Sequence, residues 1–181
     1  LTLGTGVGGG LILGGRLWSG IDGCAGEYGH ATVEPEGHPC NCGNRGCLEQ
    51  YASATAIAAQ ARSRAATAKG LLASLPADAI DARAVAAAAL EGDEVALGIY
   101  ESAGRYLGIA AATAANLLNL EALVISGGVA ESFELLEPFI RVELAARAFP
   151  LPARRMEVLK GELGDNAGLL GSAAIAMSLT A

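Results

Sequence analysis

The clearest periodic pattern in the sequence lies between Asp93 and Asn119. Apolar or small residues recur there every three or four positions. They are Leu97, Tyr100, Gly104, Leu107, Ala111, Ala114 and Leu118. This spacing places them on one face of a helix, so the pattern predicts the longest helix of the chain. Gly104 and Gly108 lie inside it, at a cost of about 1 kcal/mol each relative to alanine. They predict that another element packs closely against this helix.

Besides the stretch from Gly128 to about Phe149, three further segments have helical patterns. One runs from Leu48 to about Arg64 and consists of alanine, glutamine and isoleucine with other polar residues interspersed. A second runs from Asp81 to Glu91; Asp81 can cap its first turn, and Gly92 ends it. The last, Ala167 to Leu179, is apolar on nearly all sides. A helix of that kind is expected to be covered by another element or chain, and part of it is expected to lie exposed here.

Short apolar runs predict the strands. Gly8 to Leu13 and Arg16 to Trp18 flank a Gly-Gly pair, which is typical of a β-hairpin. His30 to Val33 is expected to be a short strand, Glu121 to Ser126 is a strand of the buried type, and Arg155 to Lys160 is the last predicted strand. Because strands and helices alternate in the second half of the chain, the fold class is α/β.

Composition limits the function classes. The chain has 181 residues, enough for one compact domain; 52% are apolar and only 4% aromatic, so the core consists of small aliphatic side chains. The net charge is −7 and the pI about 4.8, which argues against direct nucleic-acid binding by this segment. No apolar run approaches the ~20 residues of a membrane span. The chain begins at Leu1 on what reads as a strand already under way, which predicts a missing N-terminal part.

The segment from Gly26 to Glu49 carries the strongest chemical signal. It contains Cys40, Cys42 and Cys47, with His30 upstream. Three thiolates and an imidazole at short spacing are typical ligands of a tetrahedral zinc ion, and four protein ligands make such zinc structural.

Other interpretations of these residues remain open. The cysteines could form disulfides or be small buried residues, although clustered free cysteines fit a reducing cytoplasm. His38 is a rival fourth ligand, but it lies only two residues before Cys40, where the chain would have to double back sharply. Cys24 is interpreted as a buried apolar residue.

Two glycine-rich turns are candidate anion sites. Gly4, Gly6 and Gly9 satisfy G-x-G-x-x-G, but no helix follows, and no Walker A lysine is present. The turn could still offer backbone N–H groups to phosphate, or be a tight turn without a ligand. Gly127-Gly128 joins a strand to a helical stretch, as nucleotide-binding turns do and as ordinary strand–helix turns also do.

The motif GEYGH followed by C-x-C-G-x-x-G-C-x-E resembles the ROK family of sugar kinases and sugar-responsive repressors. The resemblance implies a ribonuclease-H-like domain of the actin/hexokinase/Hsp70 superfamily with an inserted zinc loop, residues 1–181 being the C-terminal ROK domain. It also implies zinc on His30, Cys40, Cys42 and Cys47.

The same resemblance assigns the ligand contacts. Glu27, His30 and Glu49 would hold hexose hydroxyls. Thr5 and Gly6 would face the nucleotide phosphates. Gly127 and Gly128 would lie against the adenosine.

The function implied is ATP-dependent phosphorylation of a glucose-like hexose at its 6-hydroxyl, with Mg²⁺. The alternative is a repressor that binds sugar as inducer. The family's first phosphate loop, D-x-G-G-T, and its general-base aspartate are absent, so no catalytic residue is assigned in this chain and the chain alone is expected to be inactive. A cytoplasmic homo-oligomer, dimer or tetramer, is expected, with no membrane contact.

Overall fold

The computed structural model describes residues 1–178, in which short strands and helices are arranged as an α/β fold. The strands are β1 (Thr2–Leu3), β2 (Val7–Gly8), β3 (Leu11–Leu13), β4 (Arg16–Trp18), β5 (Ala122–Ile125) and β6 (Glu157–Lys160). The helices are α1 (Glu49–Ala52), α2 (Ala54–Arg64), α3 (Leu71–Ser74), α4 (Ala82–Leu90), α5 (Glu94–Leu118), α6 (Phe133–Arg147), α7 (Pro150–Arg155) and α8 (Ala167–Ser178). Single 3₁₀ turns lie at Tyr28–His30, Ala65–Thr67, Ala77–Ala79, Gly128–Ser132 and Gly164–Asn166.

Strands from the two ends of the chain lie side by side. Strand β5 pairs with β6 in parallel, with Ala122 opposite Glu157. Strand β1 continues the row, because the Leu3 N–H donates to the Ser126 carbonyl at 2.7 Å and Thr2 bridges Ser126 in parallel. Strand β2 pairs with β1 in antiparallel fashion. The predicted β3–β4 hairpin around Gly14-Gly15 is confirmed as a separate antiparallel pair.

Helix α5 lies at the centre of the core, and α6 packs along it. A Cβ atom added at Gly104 would lie 2.7 Å from the Leu136 carbonyl oxygen, and one added at Gly108 would lie 2.6 Å from the Glu143 Cβ. The close approach predicted from these two glycines is therefore confirmed: they let two helix backbones come together where a side chain would not fit.

The longest helix is confirmed close to its predicted limits, and local capping sets both ends of α5. Asp93 is only 6% exposed, and its carboxylate accepts hydrogen bonds from the N–H groups of Leu72, Val95 and Ala96. Two of these bonds close the first turn of α5, and the third anchors α3 to it. Asn119 adopts a left-handed conformation (φ 49°) at the other end.

Two of the predicted elements are wrong. The predicted helix from Leu48 to Arg64 is broken at Ser53, whose backbone is extended and whose hydroxyl caps α2. The cause is long-range, because the Ala54 N–H donates to the carbonyl of Gly4. The predicted strand His30 to Val33 is also absent: Tyr28–His30 is a 3₁₀ turn, and Thr32 forms a single bridge to Cys47.

The end of the chain carries one unforeseen helix and one exposed helix. Helix α7 was not predicted; its two prolines lie in its first turn or near it, where a missing N–H costs little. In α8, Leu169 is 72% and Leu170 is 49% exposed, which confirms that part of this helix lies uncovered. Its predicted end, Leu179, lies outside the described residues.

None of the helices within residues 1–178 combines the length and the apolar character that crossing a bilayer requires.

Candidate metal centre and neighbouring ligand cavities

The four predicted metal ligands converge. One ligand atom from each of His30, Cys40, Cys42 and Cys47 lies within 4.8 Å of the others. The Cys40 Sγ is 3.6 Å from His30 Nδ1, and the Sγ atoms of Cys42 and Cys47 are 3.7 Å apart. All cysteines are free thiols, which argues against the disulfide interpretation.

These separations fit a tetrahedral ion. With Zn–S near 2.3 Å and Zn–N near 2.05 Å, two sulfurs lie about 3.8 Å apart and a sulfur and a nitrogen about 3.6 Å apart. The measured pairs, 3.7 Å and 3.6 Å, agree with both values. The donor set therefore suits an ion of this size and softness, and its four ligand atoms would leave the ion no open coordination position.

Tight backbone turns aim the cysteines at one point. Gly43 and Gly46 have φ values of 92° and 68°, which favour glycine. The Gly46 N–H donates to the His38 carbonyl, and the Cys40 N–H donates to the Asn44 carbonyl, each at 2.8 Å. The loop thus satisfies its own backbone while bringing the sulfurs together.

The pKa values of the two buried thiols, Cys40 and Cys47, shift in opposite directions. The backbone N–H of Cys42 lowers the pKa of Cys40 to about 7. Burial away from water raises the pKa of Cys47 to about 12. A bound divalent cation reverses the second effect, because a coordinating thiol is deprotonated outright.

Two tyrosines hold the candidate metal loop (residues 34–46, with Cys40 and Cys42; hereafter the metal loop) against the helices, and sequence reasoning missed them. The Tyr51 hydroxyl accepts the His38 N–H at 3.0 Å, and the Tyr51 ring lies 4.1 Å from that of Tyr106. The Tyr106 hydroxyl donates to the Glu34 carboxylate at 3.2 Å. The scarcity of aromatic residues in this chain was the one available signal that these rings have a special position.

The histidine and the cysteine left outside the predicted ligand set, His38 and Cys24, do not join the cluster. The His38 ring packs against Tyr51, at 5.4 Å between ring centres, and His38 is not among the converging ligands. Cys24 was predicted to be buried, which is wrong: it is exposed, in a loop where its N–H donates to Asp22. The loop places it on the surface, so burial does not explain its presence.

His30 joins the cluster of four candidate ligands to a cavity. Its Nδ1 faces Cys40, while its Nε2 lies 4.0 Å from a Glu27 carboxylate oxygen. The Glu27 side chain is 73% exposed. Both residues line a cavity of about 530 Å³, whose other walls are largely apolar and include Leu118 and Met156. His30 can thus hold an ion through one nitrogen and meet a ligand through the other.

Glu49 lies in a different cavity. Its Oε2 accepts the Val7 N–H at 3.0 Å. It lines a cavity of about 730 Å³ together with Thr5, Gly6 and Gln50. The structure therefore brings Glu27 and His30 together but places Glu49 in another cavity. Strand β2 contacts both the turn that contains His30 and, through Val7, the Glu49 side chain.

Thr5 lies between two cavities. It lines the cavity that contains Glu49 and also a second one, of about 550 Å³, which includes Gly128 and Asp81. Helix α2 fixes this turn, because the Thr55 hydroxyl donates to the Thr5 carbonyl at 2.7 Å.

The glycines next to these cavities have packing roles of their own. A Cβ atom on Gly6 would collide with the Glu49 carboxylate. Gly127 does not line the cavity of Gly128; its φ of 89° and its contact with the backbone of Leu3 make it the joint between β5 and β1. Gly127 therefore serves packing, and Gly128 lines the cavity.

The chain is similar to known proteins over nearly its whole length. The profile of the ROK family matches residues 1–178. A glucokinase of Halalkalibacterium halodurans is 43% identical over 175 residues, which cover 94% of this chain and 53% of that protein. The crystal structure of a ROK family glucokinase from Streptomyces griseus in complex with glucose and AMPPNP superposes with a TM-score of 0.83 at 36% identity, over 96% of this chain and 58% of that one.

A regulator is also similar. The DNA-binding transcriptional dual regulator NagC of Escherichia coli is 35% identical over 170 residues, 94% of this chain and 41% of that protein. The chain thus spans about half the length of the relatives that it matches, or less.

Proposed function

The chain belongs to the ROK family, and on this premise we propose that the full-length protein is an ATP-dependent kinase that phosphorylates a glucose-like hexose at its 6-hydroxyl. Its similarity to glucokinases, one of them solved with glucose and AMPPNP, supports the proposal. In this proposal residues 1–181 are the C-terminal domain, which contributes much of the sugar site and one wall of the nucleotide cleft.

The observation that carries the proposal is the position of Thr5 between two cavities. Phosphoryl transfer needs the donor and the accepting hydroxyl in line on either side of the transferred group. The turn of Thr5 and Gly6 would offer N–H groups to the nucleotide phosphates, with Gly128 on the adenosine side and Glu49 on the sugar side. Gly127 would act there only by holding β5 against β1. The rate gain from such an arrangement comes mainly from positioning.

The sugar contacts rest on the family resemblance and on the chemistry of hydroxyl groups. The family resemblance assigns Glu27 and Glu49 as hexose ligands, and carboxylates do accept charge-assisted hydrogen bonds from hydroxyls. Because the two residues line different cavities, a hexose that both hold would have to span those cavities. Because Val7 occupies the Oε2 of Glu49, we assign Oε1 to the sugar. His30 would donate from Nε2, with its tautomer set by a metal on Nδ1.

We assign the metal centre to zinc, held by His30, Cys40, Cys42 and Cys47. The match of the ligand separations to a tetrahedral site supports this assignment. Four protein ligands leave no open position, so the zinc is structural. When bound it supplies folding free energy and holds the loop that carries the hexose ligands. Mg²⁺ would arrive with ATP, and we assign it no residue of this chain.

No carboxylate of this chain is proposed as the general base. We propose that this group lies in the part of the relatives' length that the chain does not span. The proposal predicts that the full-length protein, loaded with zinc, forms ADP from ATP only when a hexose is present. A coupled assay over a panel of hexoses tests it, and an absence of hexose-dependent turnover with every sugar would refute it.

A second candidate is a sugar-responsive repressor, which the similarity to NagC favours. It uses the same hexose ligands but needs no nucleotide. Titration of the full-length protein with ATP and with hexose separates the two functions. A repressor binds hexose without ATP turnover and releases DNA when the hexose binds.

A further inference from the structure

Gln50 touches the metal cluster without belonging to it. Its side-chain Nε2 donates a hydrogen bond to the Cys40 Sγ at 3.5 Å. Cys40 is buried, and the same sulfur lies 3.6 Å from the His30 Nδ1. An amide N–H pointing at a buried ligand sulfur is the kind of contact that orients metal ligands from outside the coordination sphere.

We propose that Gln50 is a positioning residue of the zinc site, which ties the Cys40 thiolate to helix α1. The inference rests on the proposed zinc site. Three thiolates and one neutral imidazole around Zn²⁺ leave one excess negative charge. An N–H donor at a thiolate offsets part of that charge, because hydrogen bonds to ionised groups are the stronger ones.

The neighbours of Gln50 give this contact a wider role. Three consecutive residues of α1 each hold a different part of the site. Glu49 accepts the Val7 N–H from β2, Gln50 donates to Cys40, and Tyr51 accepts the His38 N–H. Helix α1 therefore joins the metal loop to the glycine-rich turn, and Gln50 is its contact with the metal ligands.

A second glutamine provides a matched control. Gln60, on α2, lines the same cavity as Gln50. Its Nε2 is buried and has no hydrogen-bond partner among the described residues. Replacing Gln60 by leucine removes the same amide from the same cavity without touching a sulfur.

The test compares Gln50→Leu, Gln50→Glu and Gln60→Leu in the full-length protein. The dissociation constant for Zn²⁺ is measured by competition with a chromogenic chelator. We expect Gln50→Leu to weaken zinc binding by about 10- to 100-fold, the usual loss when such an outer partner is removed. Gln50→Glu keeps the side-chain size but replaces the donor with a carboxylate that repels the thiolate, so it should weaken binding at least as much. Gln60→Leu should leave the zinc affinity unchanged.

Cobalt substitution supplies a readout that general destabilisation does not move. An N–H donor lowers the energy of the sulfur lone pairs. The sulfur-to-cobalt charge-transfer band of Gln50→Leu should therefore shift to longer wavelength, while that of Gln60→Leu should match the wild type.

The outcomes distinguish this proposal from the one on which it rests. If the wild-type protein binds neither zinc nor cobalt, the zinc site itself fails. If the wild type binds zinc and both Gln50 variants bind it equally well with an unshifted cobalt band, the role of Gln50 is overturned and the zinc site stands. Equal losses in Gln50→Leu and Gln60→Leu would also overturn it, because the effect would then come from the cavity and not from the sulfur contact.

Discussion

Substitution of Glu49 separates a ligand contact from a structural one. Its Oε2 accepts the Val7 N–H at 3.0 Å, and its other oxygen is assigned to the hexose. Glu49→Gln keeps a carbonyl acceptor for Val7 but loses the charge. A hydrogen bond to a charged group is worth roughly 1.5–3 kcal/mol and a neutral one roughly 0.5–1.5 kcal/mol, so the loss of charge alone should lower hexose affinity about five- to tenfold. Nucleotide affinity should change little.

Glu49→Ala removes both contacts. The Val7 N–H is partly buried, and leaving it without an acceptor costs about 1–3 kcal/mol of unfolding free energy at most. Because Val7 follows the Thr5–Gly6 turn directly, this variant should also bind the nucleotide more weakly than Glu49→Gln does. Isothermal titration of the full-length protein with glucose and with an ATP analogue, next to denaturant unfolding, measures all three effects. Equal losses of both ligands in Glu49→Gln would show that Glu49 acts only through folding and would refute the assignment to the sugar.

Four further predictions concern the metal, the core, pH and the catalytic unit. Elemental analysis of protein prepared without chelator should find about one zinc per chain, and Cys42→Ser should abolish it while Cys24→Ser leaves it unchanged; zinc-free wild-type protein would contradict this. Asp93→Ala should lower the free energy of unfolding by about 2–4 kcal/mol in denaturant titrations, because three N–H groups lose their acceptor, and Asp93→Asn should cost less. Burial raises the pKa of Tyr28 from 10.0 to about 12. The stabilisation that its protonated hydroxyl gives is therefore complete below about pH 10 and is lost as the pH rises towards 12. Tyr28→Phe should lessen the alkaline decline of the unfolding midpoint, and an unaltered decline would exclude this tyrosine as a cause. Residues 1–181 alone should show no glucose-dependent ATP turnover but should self-associate in light scattering, since α8 exposes apolar side chains; turnover by this chain would place the general base within it.

Local signals determined much of this chain. The limits of α5 follow from the Asp93 cap and the left-handed Asn119, which act within one helical turn. The candidate metal ligands follow from short spacing, because Gly43 and Gly46 let the loop turn tightly enough to bring its sulfurs together. In both cases the deciding interactions join residues that are close in sequence.

Contacts between distant segments decided the rest. Helix α2 begins anew at Ser53 because the Ala54 N–H meets Gly4, fifty positions away, and no periodicity in the segment signals that bond. The Glu49 carboxylate accepts the N–H of Val7, 42 positions away, and lines a different cavity from Glu27. The sequence alone therefore determined which residue types are available for metal and sugar. Tertiary packing decided which of them share a cavity, because that depends on hydrogen bonds whose partners are brought together only in the folded chain.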